Sequence, residues 1–486
     1  MQALQYLRPS LYIASFFALH VAVAMLIPAF VDIADGNPDW TVFMGSSIGV
    51  FAVALLGIVS MRQPLPKFTP RFGFLLTTLL WLVTAIVSSI PFWLSPLQIT
   101  AAEGFFEAMS GLTTTGSTIL TDLDELPRGI LIWRSMLQWL GGIGIVAIGL
   151  FLFPFLRIGG MQFFRTESSD RSDKAMPRMV NLTAALVAFY TAATVACALV
   201  YAALGMNLFD AINHAMTTLS TGGYSTHDAS FGYYGNNLGM IWASTLFMLV
   251  GSLPFVLYVE LILRGRLSLF RDVQTRVFLV AVAIVSILLG IWVHFNTGLE
   301  LFHALTKAAF NTVSIVTTTG FASEDYSLWG TFAIGLFFLL TFIGGCSGST
   351  AGGIKIYRFV IIWQSLRRSL ARLIYPNAVI PLRYGNRHVD QDVYDSVVTF
   401  LVAFFGIYGL MTLILCGLGV DFFTALTGVL TAMSNVGPGL GDVIGPAGNF
   451  KSLDEPETWL LAIVMLVGRL EIMTAVVLLS PVFWKD

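Results

Sequence analysis

Charge is scarce in this chain. Of its 486 residues only 11% are Asp, Glu, Lys or Arg, where a soluble domain carries about 25%. No long polar stretch separates the apolar runs, so no independent soluble domain is expected. Cysteine is nearly absent as well. Cys197, Cys346 and Cys416 show no CxxC spacing and no histidine partner at metal-ligand separation, and the six histidines form no HxxxH pair. These gaps exclude a disulfide scaffold and a His/Cys metal centre. No ATPase motif is visible. What abounds is apolar: 56% of the residues are hydrophobic and the mean hydropathy is +0.80, values that point to lipid as the main solvent.

A helix needs about 20 apolar residues to cross a hydrocarbon core of roughly 30 Å. Ten segments qualify: 10–31, 41–60, 72–95, 130–156, 179–204, 237–263, 275–297, 328–365, 393–418 and 457–481. The first is too long for a signal-peptide core and lacks a small-residue cleavage site, so it reads as a retained span. Four further apolar segments, near 100–112, 208–220, 301–316 and 421–433, are too short to cross. Each lies between two full spans and is expected to re-enter the membrane.

Basic residues collect in alternate loops: Arg62, Lys67 and Arg71; Arg157, Arg165, Arg171, Lys174 and Arg178; Arg264, Arg266, Arg271 and Arg276; and the run from Lys355 to Arg387. With Arg8 and Lys485 they mark the cytoplasmic side, which places both termini there. They read as topology signals facing membrane lipids and cytoplasm, not as a nucleic-acid surface. The opposite loops are acidic, with Asp32, Glu107, Asp124, Asp210, Asp228, Glu324 and Glu457 among them. An acidic outer mouth would concentrate cations.

The four short segments share a pattern: FFEAMSGLTTTGST (105–118), AINHAMTTLSTGGYST (211–226), KAAFNTVSIVTTTGFAS (307–323) and TALTGVLTAMSNVGPG (424–439). Each is a helical stretch, then Thr, Ser or Asn, then glycine. Aligned without gaps, they bring Gly116, Gly223, Gly320 and Gly437 into register, at intervals of roughly one hundred residues. The expected fold is therefore an all-α polytopic membrane protein. A two-helix unit (1–65) precedes four pseudo-symmetric repeats of span, pore loop and span, at 66–165, 166–268, 269–385 and 386–486, around one central pore. Polar backbone at membrane depth is tolerated only where it lines a cavity or is buried in protein. Glycine admits φ > 0, so carbonyls can turn inward, and a ring of carbonyls can replace the hydration shell of a bare K⁺ ion. The negative C-terminal ends of the short helices would aim at the same point.

The eighth span is too long for one crossing and breaks at Gly344, Gly345, Gly348, Gly352 and Gly353, with Cys346, Ser347, Ser349 and Thr350 between them. Each glycine costs a helix about 1 kcal/mol relative to alanine. At 1.5 Å per residue the stretch begins about 24 Å below the outer start of its span, deep enough to plug a pathway under the loops. It matches neither the nucleotide-binding pattern GxxxxGK[ST] nor the nucleophile elbow GxSxG. Arg469 falls near the middle of the last span, where a charge is a functional candidate by default; it is expected beside the glycine stretch. Two residues on, Glu471 would lie about 200° round a continuous helix and face away. Lys307, at the start of the third short helix, is expected as an outer surface charge.

On these residues the chain resembles the Trk/Ktr/HKT superfamily of potassium transporters, nearest the bacterial Trk-type potassium-uptake pore subunit. The resemblance rests on the four loops, on GGCSGSTAGGIK (344–355) and on VGRLEIMTA (467–475). It covers nearly the whole chain, the two extra N-terminal helices included. It implies that K⁺ is the transported ion. The ion would be held by the backbone of Thr114, Thr115 and Gly116; Gly222 and Gly223; Thr318, Thr319 and Gly320; and Val436 and Gly437. It also implies that the 344–353 loop is an intramembrane gate. Some relatives with serine at the first of these glycines favour Na⁺; Gly116 favours K⁺. No loop is the full TVGYG of tetrameric potassium channels, and SNVGPG departs most. The resemblance further implies a homodimer in the bacterial cytoplasmic membrane, bound to a separate cytoplasmic nucleotide-binding regulator that would dock on the basic loops.

A negative interior pulls a cation inward by about 2.3 kcal/mol per 100 mV, so uptake needs no ATPase motif. A Na⁺-permeable or H⁺/Na⁺-coupled symporter is the alternative within transport. Few intramembrane acids suit a proton relay, Glu260 and Glu471 among them, and this favours channel-like permeation. An intramembrane enzyme using Cys346 or Ser347 would need a histidine or aspartate base at matching depth, and the sequence places none there.

Overall fold

The computed structural model describes residues 5–64, 66–67, 69–151, 175–265, 267–385 and 387–485. Arg157, Arg165, Arg171, Lys174 and Arg266, and the expected boundary at 165/166, lie outside the described residues.

Among the described residues seven helices are long and apolar enough to cross a bilayer. They are Leu7–Asp35, Trp40–Ser60, Pro70–Leu94, Arg128–Val146, Asn181–Ala203, Val273–Thr297 and Gln391–Gly417. The four short helices sit where the sequence predicts them: Ala101–Leu112, Leu208–Leu219, Leu301–Val316 and Phe422–Ser434. Three are started by side-chain caps. Thr100 and Glu103 form a reciprocal capping box on the first, Asn207 accepts from the amide of Asp210 on the second, and Asp421 accepts from Phe423 and Thr424 on the fourth. Each cap satisfies amides that would otherwise be orphaned in an apolar setting.

Packing is inverted relative to a soluble protein. On Val273–Thr297 the outward row Val280, Ile284 and Leu288 is more than half exposed, while Gln274, Thr275, Phe278 and Ser286 are buried. An outward apolar stripe is stable only against lipid. The fold is thus an almost wholly helical polytopic membrane protein, with one short hairpin among the described residues, pairing Arg383–Tyr384 with Arg387–His388.

Three expected spans are not continuous. Leu238–Ser252 and Phe255–Arg264 meet at 94° around Pro254, which has no amide to donate and does not continue a helix. The freed amide of Phe255 donates instead to the carbonyl of Gly348, at 3.0 Å. The last span divides into Glu455–Arg469 and Met473–Leu479, bent by 113°, with Glu471 at φ +60° and Ile472 at φ +44°. The eighth, expected as 328–365, is helical only over Thr331–Leu340 before the glycine stretch, and its second helix runs from Ile356 to Ile374.

Candidate functional site: four loop turns and the segment beneath them

The four short helices end in the same turn. The residue two before each aligned glycine is left-handed: Thr114 and Thr221 at φ +52°, Thr318 at φ +59° and Asn435 at φ +54°. Left-handed threonine is a conformational outlier, whereas asparagine tolerates that region. The residue after it closes the turn on the helix: Thr115 N to Ser110 O at 2.9 Å, Gly222 N to Thr217 O at 2.9 Å, Thr319 N to Ser314 O at 2.8 Å and Val436 N to Thr431 O at 3.0 Å. The glycine follows with φ between +77° and +111° in all four. SNVGPG, the loop that departs most in sequence, has the same backbone.

The turns face one another cyclically. A Cβ built on Gly116 would lie 2.2 Å from the carbonyl oxygen of Gly222. One on Gly223 would lie 1.9 Å from that of Thr319, one on Gly320 2.0 Å from that of Val436, and one on Gly437 2.8 Å from that of Thr115. Each glycine therefore admits the carbonyl of the next repeat, and the fourth returns to the first. One cavity touches all four glycines, and a second touches Asn435, the glycine stretch and Arg469. All ten residues expected at the pathway are thus brought to one place.

Side chains from behind hold this ring. Gln138 donates to Gly222 O at 2.6 Å and accepts from Tyr224 N at 3.0 Å. Ser117 Oγ donates to Gly437 O at 2.7 Å. Arg134 and Glu107 form a fully buried ion pair at 2.7 Å; Glu107 also accepts from Thr118 and Ile119, and Arg134 donates to Ser225 O. Glu107 is therefore no mouth charge. Asp32 is likewise buried, accepting from Gly129 N at 2.7 Å, and Asp210 is bonded to Thr226 and Tyr234. Lys307 is paired with Glu324 and half-buried, not a free surface charge.

The glycine stretch lies directly under the ring. Thr350 Oγ1 meets Thr221 Oγ1 at 3.1 Å and Leu219 O at 3.2 Å in the second repeat. Gly352 N donates to Thr318 Oγ1 at 2.7 Å in the third. A Cβ on Gly352 would lie 2.4 Å from Ser434 O in the fourth. In the first, the Thr114 hydroxyl is buried without a partner among the described residues. The stretch is pinned in the break of the bent span, with Cys346 N donating to Ser252 O at 2.9 Å and Thr350 bonded to Gly251 O. Gly344 N and Ile354 O close its base at 3.0 Å, Ser347 N donates to Gln274 and Ser349 Oγ to Cys346 O, while Gly345 and Gly353 pack within it. Cys346 is a buried free thiol.

Arg469 sits beside the stretch as expected, its Nη1 2.9 Å from Thr350 O. The helical argument that turned Glu471 away fails, because the helix ends at Arg469. Glu471 lines the same cavity and is paired with Arg358, whose guanidinium lies 3.5 Å from the Phe400 ring centroid. Lys355 and Arg358, read as cytoplasmic charges, are both buried. Sequence reasoning missed Gln138, Arg134 and Arg358; a polar residue inside an apolar span was the available signal for the first two.

Bilayer-length helices, four loops that turn back within them, and a cavity on each side of their meeting point define a polytopic membrane protein of the transport class. The family model TrkH, cation transport protein, matches residues 42–485. The chain is 45% identical over 479 residues to the Trk system potassium uptake protein TrkI of Halomonas elongata, covering 98% of this chain and 97% of that one. It is 36% identical over 469 residues to the Trk system potassium uptake protein TrkH of Escherichia coli K12, covering 95% and 96%. The crystal structure of the potassium transporter TrkH from Vibrio parahaemolyticus superposes with a TM-score of 0.90 at 32% identity, covering 98% of this chain and 99% of that one. The chain belongs to the TrkH family of cation transport proteins; it is a transporter and not an enzyme.

Proposed function

We propose that this protein carries K⁺ inward across the bacterial cytoplasmic membrane, both termini cytoplasmic, through the ring formed by Thr114–Gly116, Gly222–Gly223, Thr318–Gly320 and Val436–Gly437. The cyclic approach of each aligned glycine to the next repeat's carbonyl is the observation that carries this reading. It clusters main-chain oxygens at one point, as replacement of a hydration shell requires. The chain divides into a two-helix unit (1–65) and repeats at 66–165, 166–268, 269–385 and 386–486. The 344–353 loop closes the pathway from below and Arg469 holds it; contact with the turns of three repeats supports that role. The names of the relatives support potassium as the ion. The working assembly is a homodimer with a cytoplasmic nucleotide-binding regulator on the basic face.

Rb⁺ uptake into proteoliposomes with competing K⁺, Na⁺ and Li⁺ tests the ion. K⁺ should compete and Na⁺ and Li⁺ should not. Equal competition by Na⁺, or uptake that requires a proton or Na⁺ gradient, replaces this reading with a coupled or Na⁺-permeable one.

A further inference from the structure

The second loop differs from the others at one backbone position. Thr115, Thr319 and Val436 precede their glycines with side chains, whereas the second repeat has Gly222. In the first and third repeats the threonine at this position braces its own loop, Thr115 Oγ1 to Thr113 Oγ1 at 2.7 Å and Thr319 Oγ1 to Thr317 Oγ1 at 2.8 Å. In the second repeat the brace is borrowed. The carboxamide of Gln138, on the helix Arg128–Phe151 of the first repeat, spans the turn by donating to Gly222 O and accepting from Tyr224 N. A Cβ at residue 222 would lie 2.4 Å from Gln138 Cδ and Oε1. Its φ is not in the left-handed range, so backbone conformation does not demand glycine there; the room taken by Gln138 does.

The consequence is electrostatic. Among the described residues, no hydrogen bond is donated to the carbonyls of Thr115, Thr319 or Val436, the oxygens that meet the neighbouring glycines as Gly222 O does. An amide donor at 2.6 Å draws density from Gly222 O and occupies one of its lone pairs, so this oxygen exerts a weaker field on a cation than its three counterparts. A weaker field favours the larger, more weakly hydrated ion.

We propose that Gln138 is a positioning residue that fixes the Gly222 carbonyl and weakens its pull on the permeating cation, and that Gly222 is glycine to admit the Gln138 carboxamide. The proposal rests on the carbonyl-ring reading given under Proposed function. It makes the second repeat a specificity-setting quadrant governed by a residue of the first.

The test uses the full-length protein in proteoliposomes, with Rb⁺ and Na⁺ influx measured side by side for Gln138→Leu, Gly222→Ala, the double variant and Gly116→Ser. Gln138→Leu removes the donor, and Gly222→Ala drives the carboxamide off the carbonyl. Each should raise the Na⁺:Rb⁺ flux ratio by roughly three- to tenfold, the scale of one hydrogen bond. The double variant should go no further than the larger single, because both remove one contact. If Gln138→Leu does not fold, Gly222→Ala alone carries the same comparison. Equal losses of both fluxes at an unchanged ratio would mean a purely structural brace and overturn the proposal. So would single effects that multiply in the double variant. A shifted ratio in Gly116→Ser with none in the Gln138 and Gly222 variants overturns this proposal alone; no shift in any of them removes the carbonyl ring as well.

Discussion

Arg469 donates from Nη1 to the carbonyl oxygen of Thr350 at 2.9 Å, joining the break in the last span to the loop beneath the ring. Thr350 in turn bonds Thr221 and the carbonyls of Leu219 and Gly251. The guanidinium therefore holds a loop residue that touches both the ring and the bent helix pair Leu238–Ser252 and Phe255–Arg264.

If the 344–353 loop is the gate proposed above, loss of that bond should loosen it. A hydrogen bond from a charged donor contributes about 1.5–3 kcal/mol, equivalent to about a ten- to hundredfold change in a closed-to-open ratio. Arg469→Gln should raise basal Rb⁺ leak toward that range, and deletion within 344–353 should do the same. Wild-type leak in both variants would reduce the glycine stretch to a passive kink.

Gly116→Ser should weaken discrimination between K⁺ and Na⁺. The residue sits at φ +89°, and its Cβ would meet Gly222 O at 2.2 Å. Either the turn or the neighbouring carbonyl must move, and one misplaced ligand costing about 1.4 kcal/mol lowers selectivity tenfold. Reversal potentials in mixed K⁺ and Na⁺ solutions give the ratio; an unchanged ratio would remove Gly116 from the ion's path.

The four loop turns were legible because their chemistry is local. Short apolar helix, hydroxyl cluster and glycine are all contiguous in sequence, and four copies in register cannot be read as one span each. The same locality exposed the glycine stretch. The breaks at Pro254 and at Glu471–Ile472 escaped because a hydropathy window measures apolarity and not backbone continuity. Pro254 was a usable signal. At residue 472 nothing was, since an isoleucine at positive φ has no local sequence signature. Glu107 was read as a mouth charge for a related reason: its partner Arg134 lies on a different helix, and no spacing rule joins them.

That buried pair yields a stability prediction. Both side chains are almost fully out of contact with solvent, and the guanidinium also lies 4.1 Å from the centroid of Tyr224. Removing one member leaves the other charged and uncompensated, at a cost of about 3–5 kcal/mol. Arg134→Met should lower the unfolding midpoint of the detergent-solubilised protein sharply, and Arg134→Met with Glu107→Gln should recover much of the loss. A double variant no more stable than the single would show that Arg134 acts through Tyr224 and Ser225 instead.

On the side of the ring away from the glycine stretch His227 links the first two repeats, and its charge should make that link pH-dependent. Its Nδ1 meets Asp124 of the first repeat and its Nε2 lies 3.1 Å from Asp210 of the second. The Tyr233 ring stacks on it at 3.7 Å, and the Tyr234 hydroxyl and the His214 ring complete its surroundings. Asp228, beside it, accepts from Leu123 N at 2.8 Å. Burial opposes protonation of His227, but the bonds to Asp210 and Asp124 outweigh it and hold the imidazole above its ordinary value of about 6.5. A raised folded-state value means that the stabilisation is complete below the unfolded value and fades as pH climbs through the folded one. The unfolding midpoint should therefore fall further between about pH 6 and about pH 9 in the wild type than in His227→Gln. Coincident pH profiles for the two proteins would mean that the imidazole is neutral in the fold and that the two loops are held by other contacts, Asp228 and the aromatic stack among them.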